Sequence, residues 1–374
     1  MKTNRFSRPV KRIVIKIGSA LITDKGKISL KNINKYTSLI KTFRDNKYEI
    51  ILVSSGAVAS AAFPRIKLSK NLALPRKQAL SSIGQVNLME IYKKKFSRYK
   101  IKIGQILISE SALKNRRSYL NARNTIFTLL HNKVLPIINE NDATATAELT
   151  FGGNDMLGAL ICGLLNADLY LMLSDVDGYY TNFNTPRAKL IHCIDKIDAS
   201  VYKNAGGPAA DGTGGMQAKI KAASICMNLG IPMLIINGKS PKISKAIHNP
   251  ECGTLFRPPA KQINNRKKWI ASGINLQGKI YIDDGAEQAL IKYKKSLLPR
   301  GITGISGDFH IGDLCYIVNS RHKKIAKGIV NFSSYELKKI TGKPSSAFKK
   351  ILGIKTYDEA INRNNMVILS SPGQ

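Results

Sequence analysis

The sequence lacks the features that mark secreted, zinc-binding or membrane-spanning proteins. Its five cysteines are widely spaced, odd in number and form no CxxC pair, which argues against a disulfide framework and against a zinc site. The longest apolar run, 156–165, is well short of a membrane span. The basic N-terminus precedes only three apolar residues, too few for a signal peptide. We therefore expect a cytoplasmic protein.

Acidic residues are scarce, and the formal net charge is +35. Such a charge raises the alternative of a nucleic-acid-binding protein. The excess is spread along the chain, since residues 275–374 contain 16 Lys or Arg and 8 acidic residues, and residues 1–256 contain 38 and 16. Because no segment concentrates the charge, we favour a bias of composition over a dedicated nucleic-acid surface.

Changes in pattern along the chain predict two domains and a linker. Residues 8–256 alternate apolar strands with helical patterns, which predicts an α/β fold whose mainly parallel sheet is covered by helices on both faces. Residues 257–274 contain two prolines, five basic residues and no apolar period, which is typical of a linker. Residues 275–374 show short strands separated by glycines, which predicts a small, mostly β domain.

The stretch 136–155 carries a dense set of acids and amides. Residues 139–142, NEND, follow an apolar strand and are predicted to form a loop, and residues 152–155, GGND, precede a helical run. Polar clusters after a strand and before a helix both lie at the edge of a parallel sheet where ligands bind. The alternative is an ordinary solvated turn, but the number of acids and amides favours a binding site.

Two loops of small residues follow the first two predicted strands. Gly18 and Ser19 come after the strand that contains Lys16, and residues 54–57, SSGA, come after the strand 48–53. Backbone N–H groups in such loops bind anions, especially where a helix begins. Neither loop matches the Walker or the GxGxxG pattern. An ordinary strand–helix turn therefore stays open as the alternative for each loop.

Several blocks, taken in order, resemble the glutamate 5-kinase family over nearly the whole chain. They are VIKIGSALIT, LVSSGAVA, QALSSIGQ, LNARNTI, PIINENDA, GGND, LSDVDGYYT and GTGGMQAK, with YIDDGAEQAL and GDFHIGD in the tail. The resemblance implies an amino-acid-kinase fold followed by a PUA domain. It implies an enzyme that uses ATP and Mg²⁺ to phosphorylate the γ-carboxylate of L-glutamate, the first step of proline biosynthesis. It also implies a homo-oligomer, either a dimer or a tetramer.

The resemblance also assigns roles to individual residues. Lys16 and Lys219 would neutralise charge on the transferred phosphoryl group, which is what phosphoryl transfer asks of a protein, and Asp155 would hold the two lysines. The implied glutamate-binding residues are Ser55, Asp142 and Asn154. No protein ligand for a metal is implied, since Mg²⁺ is expected on the ATP phosphates. The implied ATP-binding residues are Lys16, Ser174, Asp175, Thr213, Gly214, Gly215, Met216, Gln217, Ala218 and Lys219.

One position departs from the family pattern close to the expected substrate site. Many members read GDND where this chain has GGND, so Gly153 replaces a carboxylate. The change bears on glutamate affinity, on Mg²⁺ handling and on feedback inhibition by proline. It also keeps open a degenerate enzyme with little activity. Two further alternatives stay open: a kinase of the same fold that acts on another acid such as acetylglutamate or aspartate, and an RNA-binding PUA protein with a degenerate kinase domain, which the PUA resemblance and the basic composition suggest. RNA contact by the PUA domain as a side activity also stays open.

Overall fold

A computed structural model describes residues 5–6, 8–61, 73–109, 112–113, 116–144, 153–183, 185–205, 215–259, 278–353 and 357–369. The chain forms two compact units, Met1–Gln262 and Ile263–Gln374. Among the helices described, none has both the length and the hydrophobicity that crossing a membrane requires.

The elements of the first unit alternate between strands and helices along the chain. Its described strands are β1 (Arg12–Ile17), β2 (Thr23–Asp24), β3 (Lys27–Ile28), β4 (Glu49–Ser54), β5 (Ile103–Ile108), β6 (Leu135–Glu140), β7 (Leu169–Ser174), β8 (Tyr179–Thr181), β9 (Lys189–Ile191), β10 (Cys193–Ile194), β11 (Met233–Asn237) and β12 (Thr254–Phe256). Its described helices are α1 (Ser19–Ile22), α2 (Leu30–Asp45), α3 (Ala57–Ser60), α4 (Leu74–Ser97), α5 (Arg116–His131), α6 (Asn154–Leu165), α7 (Ala199–Asn204), α8 (Met216–Asn228) and the 3₁₀ turn Ile243–Lys245.

Eight of these strands form one sheet in the order β10-β12-β11-β7-β1-β4-β6-β5. All neighbouring strands are parallel except β11 and β12, which are antiparallel. The central strands are apolar on both sides, as in β1 and β7, because helices cover both faces of the sheet. The predicted α/β fold with a mainly parallel sheet is confirmed.

Successive residues of the strands point to opposite faces of the sheet and enter two separate cores. Val14 of β1 lies in a core shared with α6 and α8, whereas Ile13 and Ile15 lie in a core shared with α2 and α4. Lys16 is two residues after Val14 and therefore projects toward the face that α6 and α8 cover. Because of this alternation, side chains of α6 and α8 can contact Lys16 near the end of β1.

Helices α3 and α4 pack with their backbones in close contact. A Cβ atom on Gly84 of α4 would lie 1.8 Å from the backbone oxygen of Ala57 in α3. Only glycine leaves room for this approach. The close packing fixes α4 against the short segment that follows the end of β4.

The second unit is small and mostly β, as predicted. Its sheet has the order β14-β13-β15-β16-β17 and packs its apolar side on the helices of the unit. The described strands are β13 (Gly278–Ile282), β14 (Ile302–Ser306), β15 (Leu314–Val318), β16 (Lys324–Ile329) and β17 (Met366–Ile368), and the helices are α9 (Asp284–Ile291), α10 (Ser334–Ile340), α11 (Phe348–Leu352) and the 3₁₀ turns Pro299–Gly301, Ser345–Ala347 and Arg363–Asn365.

One structural prediction was wrong, and the difference affects the site. Asn139 and Glu140 do not lie in a loop but are the last two residues of β6, where they pair with Leu107 and Ile108 of β5. Both side chains are buried. The strand accommodates Asn139 because the side-chain amides of Gln85 and Asn154 hydrogen-bond it.

Candidate active site

The candidate site lies where the central parallel strands end on one edge of the main sheet. Ile17 near the end of β1 is in register with Ser54 of β4 and with Leu173 of β7. The last residues of β7 and β11, Ser174 and Asn237, are in register with each other. In parallel sheets this carboxyl edge is the usual place for a ligand.

Three charged side chains meet on the face of the sheet that α6 and α8 cover. The Nζ atom of Lys16 lies 2.5 Å from Oδ1 of Asp155, and the Nζ atom of Lys219 lies 3.0 Å from Oδ2 of the same carboxylate. Lys16 comes from the end of β1, Asp155 from the first turn of α6 and Lys219 from the first turn of α8. We call these three residues the lysine–aspartate cluster.

The lysine–aspartate cluster is buried and carries one net positive charge. Lys16 and Lys219 are each 8% exposed and Asp155 is 3% exposed. Burial by itself would raise the pKa of Asp155, but the charges of the two lysines outweigh burial and hold that pKa below its ordinary value. The carboxylate therefore stays ionised, and the cluster has the charge needed to attract a phosphoryl group.

A buried tyrosine holds the backbone of the same aspartate. The hydroxyl of Tyr170 on β7 donates a hydrogen bond to the backbone oxygen of Asp155 at 3.0 Å. Gly158, one turn further along α6, leaves room for the tyrosine ring, because a Cβ there would lie 2.2 Å from the Tyr170 hydroxyl. Tyr170 therefore ties the start of α6 to the sheet. The sequence pattern does not reveal this role, since Tyr170 stands in an otherwise apolar strand.

A chain of neutral side chains runs along the same edge. Nδ2 of Asn154 donates to Oγ of Ser55 and to Oδ1 of Asn139, each at 2.8 Å, and lies 3.4 Å from the backbone oxygen of Ser54. Asn139 in turn donates from Nδ2 to Oε1 of Gln85 at 3.0 Å. We call Gln85, Asn139, Asn154 and Ser55 the amide chain. It connects helix α4 to the first residue of α6.

Helix α4 also contacts Asp142, a predicted glutamate-binding residue. The hydroxyl of Ser81 donates to Oδ2 of Asp142 at 2.7 Å. Burial raises the pKa of Asp142 above its ordinary value, and the hydrogen bond from Ser81 acts in the opposite direction. A third contact joins α4 to the end of β4, because the hydroxyls of Tyr92 and Ser54 lie 2.8 Å apart.

The predicted ATP-binding residues fall at two neighbouring places on the edge. Ser174 ends β7, is buried and donates to Oδ1 of Asp175 at 3.1 Å, and Asp175 is exposed. Gly215 precedes α8, and Met216, Gln217 and Ala218 form its first turn before Lys219. Thr213 and Gly214 lie outside the described residues.

The predicted site residues thus form connected groups on one edge. The lysine–aspartate cluster joins the three predicted catalytic residues, and Ser55 and Asn154 hydrogen-bond each other. The sequence interpretation did not assign Ser81, Gln85 or Tyr170 to the site. The block QALSSIGQ contains the first two, but a helical pattern does not show which distant strand a helix faces.

Gly153 has a backbone conformation that other residues rarely adopt. Its φ is 99° and its ψ is 170°, and it immediately precedes α6. This combination is essentially restricted to glycine. An aspartate at this position would therefore strain the chain directly before Asn154 and Asp155.

Comparisons with known proteins show the family of the chain. Residues 11–237 match the model of the amino acid kinase family, and residues 278–352 match the PUA domain. A glutamate 5-kinase of Thermoanaerobacter sp. (strain X514) is 41% identical over 365 residues, covering 96% of this chain and 98% of its own length. A glutamate 5-kinase of Dictyoglomus turgidum is 44% identical over 365 residues, covering 96% and 97%.

Among solved structures, carbamate kinase from Giardia lamblia bound to AMP-PNP is similar with a TM-score of 0.49 and 17% identity, covering 69% of this chain and 100% of its own. The sequence relatives extend over both units of the chain, whereas this structure covers only part of it. The chain belongs to the amino acid kinase family and, within it, to the glutamate 5-kinases that carry a C-terminal PUA domain.

Proposed function

We propose that the protein transfers the γ-phosphoryl group of ATP to the γ-carboxylate of L-glutamate and forms L-glutamyl 5-phosphate, the first step of proline biosynthesis. The observation that carries this proposal is the lysine–aspartate cluster, with its two buried lysines on one buried carboxylate. The cluster lies beside the polar side chains of Ser55 and Asn154, which suit an amino-acid substrate. The sequence relatives, which are glutamate 5-kinases over nearly their whole length, support the same activity.

In this proposal the lysine–aspartate cluster acts on the group in transfer. Negative charge spreads over the equatorial phosphoryl oxygens in the transition state, so cations fixed in advance stabilise it more than they stabilise the bound substrates. Asp155 holds both ammonium groups in place before the substrates bind and keeps them from repelling each other. The γ-carboxylate is ionised at neutral pH and needs no general base to attack phosphorus.

The neutral and acidic groups on the same edge would bind glutamate. The carboxylate of Asp142 suits the α-ammonium group of the substrate. The hydroxyl of Ser55 and nearby backbone N–H groups suit its carboxylates, since donors to an ionised acceptor form strong hydrogen bonds. Asn154 links the two parts, because its side chain bonds Ser55 while the next residue along the chain is Asp155.

ATP would lie near the ends of β7 and β11 and at the start of α8. Ser174, Asp175 and residues 213–219 are the proposed nucleotide contacts. Mg²⁺ in kinase sites is commonly bound through one or two carboxylates, substrate phosphates and water. We therefore assign Mg²⁺ to the phosphates of ATP, where it would supply further positive charge.

Other expectations from the sequence stay predictions. The domain limits are 8–256 for the kinase domain, 257–274 for the linker and 275–374 for the PUA domain. We also retain a homo-oligomer, dimer or tetramer, and RNA contact by the PUA domain as hypotheses. The spread of Lys and Arg over both large parts of the chain supports no RNA site in particular.

Trapping of the acyl phosphate tests the proposed activity. Purified protein is incubated with ATP, Mg²⁺, hydroxylamine and one acid: L-glutamate, L-aspartate or N-acetyl-L-glutamate. We expect the γ-glutamyl hydroxamate from glutamate in large excess over any other product, and none without ATP. Product mainly from another acid would overturn the substrate assignment. No product from a folded protein would overturn the assigned activity.

A further inference from the structure

Helix α4 presents a polar face to the carboxyl edge of the sheet. Ser81 and Gln85 lie one turn apart, and both side chains are buried. The neighbouring Ser82 points to the exposed side of the same helix. Ser81 bonds Asp142, which follows β6, and Gln85 bonds Asn139, which lies in β6. A helix that only covered a core would present apolar side chains at these positions.

The hydrogen bonds of the amide chain have one direction. Nδ2 of Asn154 carries two hydrogens and donates them to Oγ of Ser55 and to Oδ1 of Asn139, each at 2.8 Å. The backbone oxygen of Ser54, 3.4 Å from the same Nδ2, disfavours the reversed amide because it can only accept. The bond to Oδ1 leaves the Nδ2 of Asn139 to donate to Oε1 of Gln85. Gln85 is thus the terminal acceptor of the amide chain.

The direction of the amide chain decides which side chains can donate a hydrogen bond to the substrate and which can accept one. Oγ of Ser55 accepts from Asn154, so the hydroxyl hydrogen of Ser55 is available to donate to a carboxylate. Oδ1 of Asn154 has no hydrogen-bond partner within the described part of the chain and is an acceptor, as an ammonium group requires. If Asn139 turned its amide over, its Nδ2 would face the Nδ2 of Asn154, and the repulsion between two donors would displace Asn154 from its hydrogen bond to Ser55.

Gln85 is suited to prevent such a reversal. It is 7% exposed, its Oε1 faces the Nδ2 of Asn139, and the close backbone packing of Gly84 on Ala57 holds this turn of α4 in place. Its own Nε2 is buried and has no hydrogen-bond partner among the described residues. A buried amide with an unmade hydrogen bond costs stability, so the position is better explained by the role of its oxygen than by packing.

We propose that Gln85 and Ser81 are positioning residues for glutamate, which act through Asn139 and Asn154 and through Asp142. The inference rests on the proposed function, since it assigns the hydrogen-bonding directions of that substrate site. Gln85 fixes the amide chain so that Ser55 donates and Asn154 accepts. Ser81 fixes the carboxylate of Asp142. The site is thereby matched to an acid with a free α-ammonium group.

Steady-state kinetics of the full chain test the inference, with hydroxamate as the product and each substrate varied in turn. Gln85→Met keeps the length of the side chain and removes the acceptor. We expect its KM for L-glutamate to rise about tenfold, the effect of one lost buried hydrogen bond. Its kcat should stay within about threefold and its KM for ATP should not change. Gln85→Glu keeps an acceptor and should stay within about threefold of the wild type in KM for glutamate.

Ser81→Ala and its neighbour Ser82→Ala form a matched pair on the same helix. Ser81 bonds Asp142, whereas Ser82 is exposed and bonds the backbone oxygen of Gln78. Ser81→Ala should raise the KM for glutamate several-fold, and Ser82→Ala should leave it unchanged. This pair removes a single oxygen atom and keeps the inference testable if Gln85→Met does not fold.

The outcomes separate the inference from the proposed function. A wild-type protein that makes no γ-glutamyl hydroxamate would overturn the proposed function and this inference with it. An active wild type with an unchanged KM for glutamate in Gln85→Met, or in Ser81→Ala, would overturn the inference alone. Equal losses in Gln85→Met and Gln85→Glu would show that an acceptor at this position is not what sets the KM for glutamate, and would overturn the inference too.

Discussion

The two faces of the main sheet carry different groups at its carboxyl edge. One face has the charged side chains of Lys16, Asp155 and Lys219. The opposite face has the neutral side chains of Gln85, Asn139 and Ser54. The charged groups are supplied by β1, α6 and α8, and the neutral ones by α4, β4 and β6. The two regions meet at the start of α6, because Asn154 belongs to the amide chain and the next residue, Asp155, belongs to the lysine–aspartate cluster.

The difference reflects what each region has to recognise. A phosphoryl group in transfer develops charge, and fixed cations stabilise that charge in a buried site. Burial makes such cations costly unless a carboxylate pairs with them, which is the role of Asp155. Glutamate does not change charge at its α-carbon during transfer, so donors and acceptors of fixed direction, together with the carboxylate of Asp142, are sufficient there. We expect changes in the charged region to affect kcat and changes in the neutral region to affect KM.

The largest effect is expected from removing one lysine of the cluster. Lys219→Ala or Lys16→Ala should lower kcat at least about 10²-fold, which is the scale for losing one transition-state partner. The fold should persist because Asp155 still forms an ion pair with the remaining lysine. Lys221→Ala, an exposed position on α8, is the control and should have no effect. Turnover within a few-fold of wild type in both lysine variants would remove their assigned role.

Asp155→Asn should lower both stability and turnover, because it removes the negative charge that both buried ammonium groups contact. The loss in free energy of unfolding should be on the order of 3 kcal/mol at neutral pH. The pKa of Asp155 is lower in the folded than in the unfolded chain. Its charge therefore stabilises the fold above the unfolded-state pKa, and this stabilisation is lost as the pH falls through the lowered pKa.

Denaturant titrations of the wild type and Asp155→Asn at a series of pH values measure this difference. The difference in unfolding free energy should be constant above about pH 5 and should shrink below about pH 4. A difference that does not depend on pH down to the acid transition would mean that the charge of Asp155 is not what stabilises the fold.

Gly153→Asp should destabilise the chain rather than restore a missing function. A non-glycine residue at the observed φ and ψ costs about 1–3 kcal/mol. Gly153→Ala is the matched control because it introduces the same strain without a charge. Thermal unfolding should show a similar decrease for both variants. An aspartate variant as stable as wild type, with a lower KM for glutamate or stronger inhibition by proline, would instead restore a functional carboxylate.

The smallest effect is expected for Tyr170→Phe, which removes one hydrogen bond to the backbone of Asp155. The stability loss should be about 1 kcal/mol, and kcat should fall a few-fold because the carboxylate shifts. Tyr179→Phe is the control, since its hydroxyl also donates to a buried backbone oxygen, that of Val201. It should lose the same stability and no turnover. Equal kcat values for the two variants would mean that Tyr170 is only structural.

The sequence predicts the charged region better than the neutral one. Lys16 at a strand end, Asp155 at a helix start and Lys219 in a Gly-rich block are all visible from local pattern and from the resemblance to a family. The mainly parallel sheet follows from the alternation of strands and helices. Each of these signals lies within about a dozen neighbouring residues.

The neutral region depends on contacts that no local pattern contains. Gln85 meets Asn139 only because α4 packs beside β6, and 54 positions separate the two residues in the sequence. Asn139 was expected in a loop because polar residues rarely end a buried strand, but its hydrogen bonds to Gln85 and Asn154 make burial acceptable. Tyr170 gives no signal because its ring is apolar and only its hydroxyl reaches Asp155.

The most direct test of this account is a parallel determination of kcat and KM for Lys219→Ala and Gln85→Met with L-glutamate as the varied substrate. The account predicts a large fall in kcat with little change in KM for the first variant, and a rise in KM with little change in kcat for the second. If both variants changed kcat and KM in the same proportion, the division between a charged region for transfer and a neutral region for glutamate would be contradicted.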